Sequence, residues 1–87
     1  MWKFEYSVTF VKQYRKLDHA IQNRVKTALA ELSALDDPRL VGVFKQSMKV
    51  FAYEFGRDYR LLYAVRFEDK VIELIRVGDH KSAYGKD

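Results

Sequence analysis

Cysteine is absent from the 87 residues, so neither a disulfide nor a thiolate metal site can form. That absence fits a reducing compartment. Proline occurs once and glycine four times, too few for a low-complexity or collagen-like chain, and no internal repeat is visible. No apolar run approaches the ~20 residues of a membrane span. The start MWKFEYSV has no signal-peptide pattern. A soluble, cytoplasmic protein without a membrane partner is expected. Two histidines without a supporting ligand pattern make no metal site. There is no glycine-rich phosphate loop and no serine or cysteine nucleophile arrangement, and no cofactor is expected.

What is present suits one domain spanning 1–87. A chain of this size buries only about 60% of its unfolded surface, so its 15% aromatic content matters, because each buried ring removes a large area from water. The formal charge of +4 favours a polyanion or an acidic protein as partner, though many domains lacking such partners are equally basic.

WKFEYSV alternates, with Trp2, Phe4, Tyr6 and Val8 on one side of a strand and Lys3, Glu5 and Ser7 on the other. Thr9 is positioned to cap a short helix over FVKQYRKL, and Asp18 to cap a second from His19 to about Leu35. Ile21, Val25, Ala28, Leu32 and Leu35 make the second helix amphipathic. So tight a connection predicts an antiparallel helical hairpin. Pro38 disfavours helical geometry at Asp37 and ends the pair. LVGVFKQSMK reads as a loop with extended pieces. Strands follow at about Val50–Phe55, Tyr59–Phe67 and Val71–Val77. The expected fold is α+β: an antiparallel sheet core in the order β-α-α-β-β-β, with the helical hairpin on one face.

A three-residue loop, Gly56-Arg57-Asp58, places Phe55 opposite Tyr59, Tyr53 opposite Leu61 and Glu54 opposite Arg60. A two-residue loop would mix apolar and polar faces. In the next hairpin, Arg66 is expected to face Glu73. Phe51, Tyr53, Phe55, Tyr59, Leu61, Tyr63, Val65, Phe67, Ile72 and Leu74 then face the helices. Ala52, Glu54, Arg60, Leu62, Ala64, Arg66, Glu73, Ile75 and Val77 form an uncovered face. The last strand delivers His80 near Arg60, with Tyr84 within reach and Glu54 across the ladder.

These residue types suit RNA cleavage by the RNA's own 2′-hydroxyl. Guanidinium matches phosphate oxygens and keeps its charge, imidazole exchanges a proton near neutrality, and tyrosine stacks on a base or donates its hydroxyl. Each also has a plainer reading. Arg60 pairs with Glu54, Arg66 with Glu73, His19 and His80 are solvated, Tyr84 pins the tail, and Lys45 and Lys49 are surface lysines.

FVKQYRKLD, DPRL, GRDYRLLYAV and IRVGDHKSAY, in this order and spacing, make the chain resemble the RelE/ParE toxin superfamily over nearly its whole length. The resemblance implies the toxin of a type II toxin–antitoxin module, and for many members a metal-independent, ribosome-dependent endoribonuclease that cuts mRNA in the decoding site. Arg60 matches the arginine that contacts the scissile phosphate. His80 matches a position held by arginine or histidine, the histidine being taken as general acid. Tyr84 matches the C-terminal aromatic residue, and Lys45 lies in the segment that usually reads Leu-Lys-Gly. Lys49, Arg57 and Lys81 complete the candidate RNA-binding cations, and Glu54 is a candidate base or a partner that holds Arg60. Gln46, Ala52 and Glu54 depart from the pattern, the last two replacing basic residues of several ribonuclease members. The expected partners are a cognate antitoxin in a hetero-oligomer, the ribosome and mRNA. The same fold also hosts ParE-type inhibitors of DNA gyrase, and a catalytically weak member that mainly binds its antitoxin is a third possibility.

Overall fold

The computed structural model describes residues 2–56, 58–79 and 83. Strand β1 spans Lys3–Tyr6 and helix α1 Val8–Lys16. Helix α2 spans His19–Ala34, and a 3-10 turn covers Pro38–Val41. Strands β2 to β5 cover Val43–Lys45, Val50–Phe55, Tyr59–Arg66 and Val71–Asp79. The sheet order is β1-β5-β4-β3-β2, with β1 parallel to β5 and all other pairs antiparallel. The α+β class and helix order are as read from the sequence. The short strand β2 is additional and makes the sheet five-stranded.

The helix starts follow from capping. Asp18 accepts the Ile21 amide at 2.9 Å, as expected. The cap of α1 is Ser7 rather than Thr9: its Oγ accepts the Phe10 amide at 2.9 Å, and its hydroxyl donates to the Ile75 carbonyl at 2.7 Å. Serine at the true cap satisfies an orphan amide and fastens the helix to β5. Val8 is therefore the first helical residue, exposed, and does not extend the strand's apolar face. The α2 chain ends before Asp37, whose backbone is extended ahead of Pro38.

Both helices supply one side of the main core. Phe10, Val25 and Leu32 pack with Leu61, Tyr63, Ile72, Leu74 and Val77. Trp2 closes one end, its indole N–H donating to the Leu35 carbonyl at 2.8 Å. Tyr63 is buried at the centre, and its hydroxyl donates to the Pro38 carbonyl at 2.6 Å. Burial pushes the pKa of this phenol up to about 12.

The β3–β4 register is the one expected, with Phe55 opposite Tyr59, Tyr53 opposite Leu61 and Glu54 opposite Arg60. Gly56 begins the loop at φ +66°, a left-handed conformation that suits glycine. The β4–β5 register differs. Strand β4 stops at Arg66, β5 continues to Asp79, and a bulge interrupts the ladder. Leu62 pairs with Arg76 but Tyr63 with Leu74, leaving Ile75 as the extra residue. Arg66 thus stands opposite Val71, while Glu73 stands opposite Ala64. The expected Arg66–Glu73 contact survives diagonally, at 3.1 Å.

The bulge also corrects the assignment of faces. Val77 pairs with Leu61 and is buried in the helix-side core, not on the opposite face. Continuous alternation from Ile72 would have sent Arg76 under the helices, an unpaired buried charge. One inserted residue avoids it. The edge this exposes on β5, beyond the end of β1, is sealed by α1. Beyond the Ser7 hydroxyl bond, Ser7 N–H donates to the Leu74 carbonyl at 3.0 Å, and the Gln13 side-chain oxygen accepts Val77 N–H at 2.8 Å.

Candidate functional site

The face turned away from the helices carries Lys45, Glu54 and Arg60, and its middle is not bare. Val50, Ala52, Leu62 and Ala83 form a second small buried cluster there, with Met48 and Ile75 packed against it. Ala83 has no exposed surface. The expectation of an uncovered face is corrected accordingly: a residue of the C-terminal segment sits on it, because Leu62 and Ala52 present apolar surface that would otherwise face water.

Arg60 lies at one end of this face. Gly78, opposite it on β5, contributes no side chain, and Glu54 stands opposite on β3. The Arg60 side chain is 18% exposed. One terminal nitrogen donates to the carbonyl of Tyr59 at 3.1 Å. The other lies 3.5 Å from a Glu54 oxygen, whose side chain is 64% exposed. A guanidinium with one terminal nitrogen on a backbone carbonyl and the other only loosely paired keeps donors for a second anion. The structural reading of Arg60 as a cross-strand partner and the phosphate-binding one are thus compatible.

Arg66, on the same strand and face, is the contrast. It meets Glu5 at 3.0 Å, Glu73 at 3.1 Å and Asp69 at 3.2 Å. The hydrogen bond to Glu5 leads the effects that hold its pKa above the ordinary arginine value. Three carboxylates around one cation tie β1, β4, β5 and the intervening turn together. Arg66 is a structural residue, as its spacing suggested.

Lys45 shares the face, opposite Val50 at the end of β2. It stands level with Val50, four residues along β3 from Glu54, which is about 13 Å at strand rise. Lys49 is exposed in the β2–β3 turn at φ +56°. Arg60 and Glu54 are therefore brought together, and the two lysines are not part of that pair. Arg57, His80, Lys81 and Tyr84 lie outside the described residues. Their described neighbours are placed: Asp79 pairs with Tyr59, next to Arg60, and Ala83 is packed on the face itself. Among the described residues no group of three or more His, Asp or Glu side chains is arranged to hold a metal ion.

Arg76 is the residue that strand alternation missed. It is half-buried, and its pairing with Leu62 puts it on the face that carries Arg60. The signal was available in LIRVGD: an arginine between two apolar residues conflicts with uninterrupted alternation.

The model of the family described as ParE toxin of type II toxin–antitoxin system, parDE, matches residues 4–84. A comparison by sequence with curated proteins finds no match. Among solved structures, the intact RelBE toxin–antitoxin complex of E. coli contains a similar chain, with TM-score 0.76, 22% identity, and 91% of this chain and 96% of that one covered. The archaeal RelE–RelB complex from Pyrococcus horikoshii OT3 is similar at TM-score 0.70 and 22% identity, over 90% and 93% of the two chains. The RelBE2 complex from Mycobacterium tuberculosis follows at 0.65 and 24%, over 91% and 98%. At these identities the likeness is one of fold.

Proposed function

Because the chain belongs to the family of ParE toxins of type II toxin–antitoxin systems, a toxin of RelE/ParE fold, we propose that it acts as a metal-independent, ribosome-dependent endoribonuclease that cuts mRNA in the A site. The observation that carries this reading is the setting of Arg60. Its guanidinium lies at the rim of the sheet face, opposite a glycine and one ladder step from Asp79, the residue before His80. In the reaction, the 2′-oxygen of one nucleotide attacks the adjacent phosphorus. The phosphorus–5′-oxygen bond breaks, leaving a 2′,3′-cyclic phosphate and a 5′-hydroxyl. Arg60 stabilises the charge that grows on the phosphate oxygens. His80 protonates the departing 5′-oxygen. Tyr84 stacks on a base or donates its hydroxyl. Glu54 orients Arg60 or takes the 2′-hydroxyl proton. Lys45, Lys49, Arg57 and Lys81 hold flanking RNA.

Purified protein added to programmed ribosomes is expected to cut the message in the A site. Arg60→Ala and His80→Ala are each expected to slow cleavage by ~10²–10⁴-fold. Cutting by His80→Ala at the wild-type rate would sink the mechanism.

A second reading has its own support: Glu54 beside Arg60 weakens a phosphate site. On that reading the chain inhibits DNA gyrase and cuts nothing. Inhibition of supercoiling that survives His80→Ala, with intact transcripts, would select it.

Either toxin needs restraint in the cell. A groove of about 460 Å³ between the helices and the end of β1 is lined by Tyr6, Phe10, Val11 and Tyr14, with Arg15 and Lys26 among its walls. An antitoxin segment with apolar anchors and acidic flanks suits it. Co-expression with an adjacent small reading frame should give a stable hetero-oligomer. The expected compartment is the cytoplasm; no helix among the described residues is long and apolar enough to cross a membrane.

A further inference from the structure

We infer that Arg76 is a further RNA-binding residue of this face, gripping a phosphate that flanks the one held by Arg60. The inference rests on the nuclease reading and adds a residue to its substrate path.

The bulge in β5 creates the placement. With Arg60 opposite Gly78 and Leu62 opposite Arg76, the two arginines are diagonal neighbours on one face, ~7–8 Å apart at the side-chain base. Gly78 places no side chain across the ladder from Arg60. Without the inserted Ile75, Arg76 would point into the helix-side core. Bulges re-aim side chains and are frequent next to active sites.

The bulge is held from outside its strand. Ser7 bonds the Leu74 carbonyl through its amide and the Ile75 carbonyl through its hydroxyl, and Gln13 bonds the Val77 amide. Three bonds from α1 and its cap thus fix the backbone on both sides of Arg76. A guanidinium on so constrained a backbone loses little entropy when it forks onto a phosphate.

The order of the arginines follows from the direction of β5. Arg60 stands at the level where β5 runs out through Asp79 toward His80. Arg76 stands two ladder positions inward, beside Leu62. A single strand laid beside the patch that Ala83 covers meets Arg60 at the bond being cut and Arg76 at an adjoining linkage. Arg76 therefore positions the message and takes no proton.

The test uses programmed ribosomes and messages with an uncharged methylphosphonate linkage immediately 5′ or 3′ of the scissile phosphate. A 2′-deoxy sugar there keeps that linkage from being cut, and the deoxy phosphate message is the control. For wild type, one of the two neutral linkages should slow cleavage ~10–100-fold. Arg76→Ala should be slowed similarly on the charged message and be insensitive to that linkage. Arg76→Lys should recover part of both the rate and the sensitivity. Arg66→Ala should keep wild-type sensitivity.

Multiplying effects of Arg76→Ala and the neutral linkage would overturn the inference and leave the nuclease reading standing. So would a wild-type enzyme indifferent to both linkages, a result that needs no folded variant. No cleavage of the charged message by wild type would overturn both.

Discussion

Tyr63 shows how one buried polar atom is made tolerable. The side chain is fully buried, and its hydroxyl donates to the Pro38 carbonyl. Tyr63→Phe leaves that carbonyl short of a donor in an apolar setting. The expected loss is about 1–3 kcal/mol, seen as a lower denaturation midpoint at an unchanged slope. The same residue ties stability to pH. Folding favours the neutral phenol, raising its pKa from 10.0 to about 12. The contribution is complete below pH 10 and disappears as pH rises through about 12. It amounts to roughly 2–3 kcal/mol. Wild type should therefore lose stability over that interval faster than Tyr63→Phe; parallel alkaline titrations would refute the assignment. Arg60 and Arg66 show the opposite economy. Both lie on one face of β4, yet three carboxylates hold one, while a backbone carbonyl and a long contact with Glu54 hold the other.

At the level of elements, Ser7 does two jobs, and Thr9, the cap expected from the sequence, does neither. Ser7→Ala removes the acceptor for the Phe10 amide and the donor to the Ile75 carbonyl. A lost cap costs about 1 kcal/mol, and the stranded carbonyl adds to it, so a total of about 2–3 kcal/mol is expected in chemical denaturation. Thr9→Ala, at an exposed position, should change stability by less than about 0.5 kcal/mol. Equal effects would show that α1 starts differently in solution. The β3–β4 turn gives a second test. Gly56 is at φ +66°, and an added Cβ would lie 2.8 Å from an Arg24 nitrogen. The arginine tip can move aside, so the backbone term dominates, and Gly56→Ala should cost about 1 kcal/mol.

At the scale of the whole molecule, the sheet separates two cores of unequal size. The larger lies under the helices, and the smaller is closed by Ala83. Ala83→Arg overfills a site with no exposed surface and should displace residue 83 from the face while the helix-side core persists. Trp2 fluorescence should then still report a cooperative transition, with stability lowered by about 1–3 kcal/mol. If the nuclease reading is right, cleavage should fall far more than the folded fraction does. Wild-type cleavage by this variant would show that the packing of residue 83 on the face is irrelevant to the chemistry.

The sequence alone determined whatever depends on neighbours along the chain. The alternation of Phe4 and Tyr6, the Asp18 cap and the apolar stripe from Ile21 to Leu32 are local signals. So is the loop that sets Glu54 opposite Arg60, since a slip by one residue would bury charge. The resemblance to RelE/ParE toxins rests on the same kind of signal and agrees with the family match. The tertiary structure decided what depends on partners far away in the chain. The Val43–Lys45 strand exists because β3 offers it an edge. Ser7 outcompetes Thr9 as the cap because β5 supplies a carbonyl 68 residues away. The bulge at Ile75 follows from the conflict between strand alternation and the cost of burying Arg76, and α1 stabilises it through Ser7 and Gln13. No local pattern encodes those bonds, because their energy exists only once the helix and the strand have met.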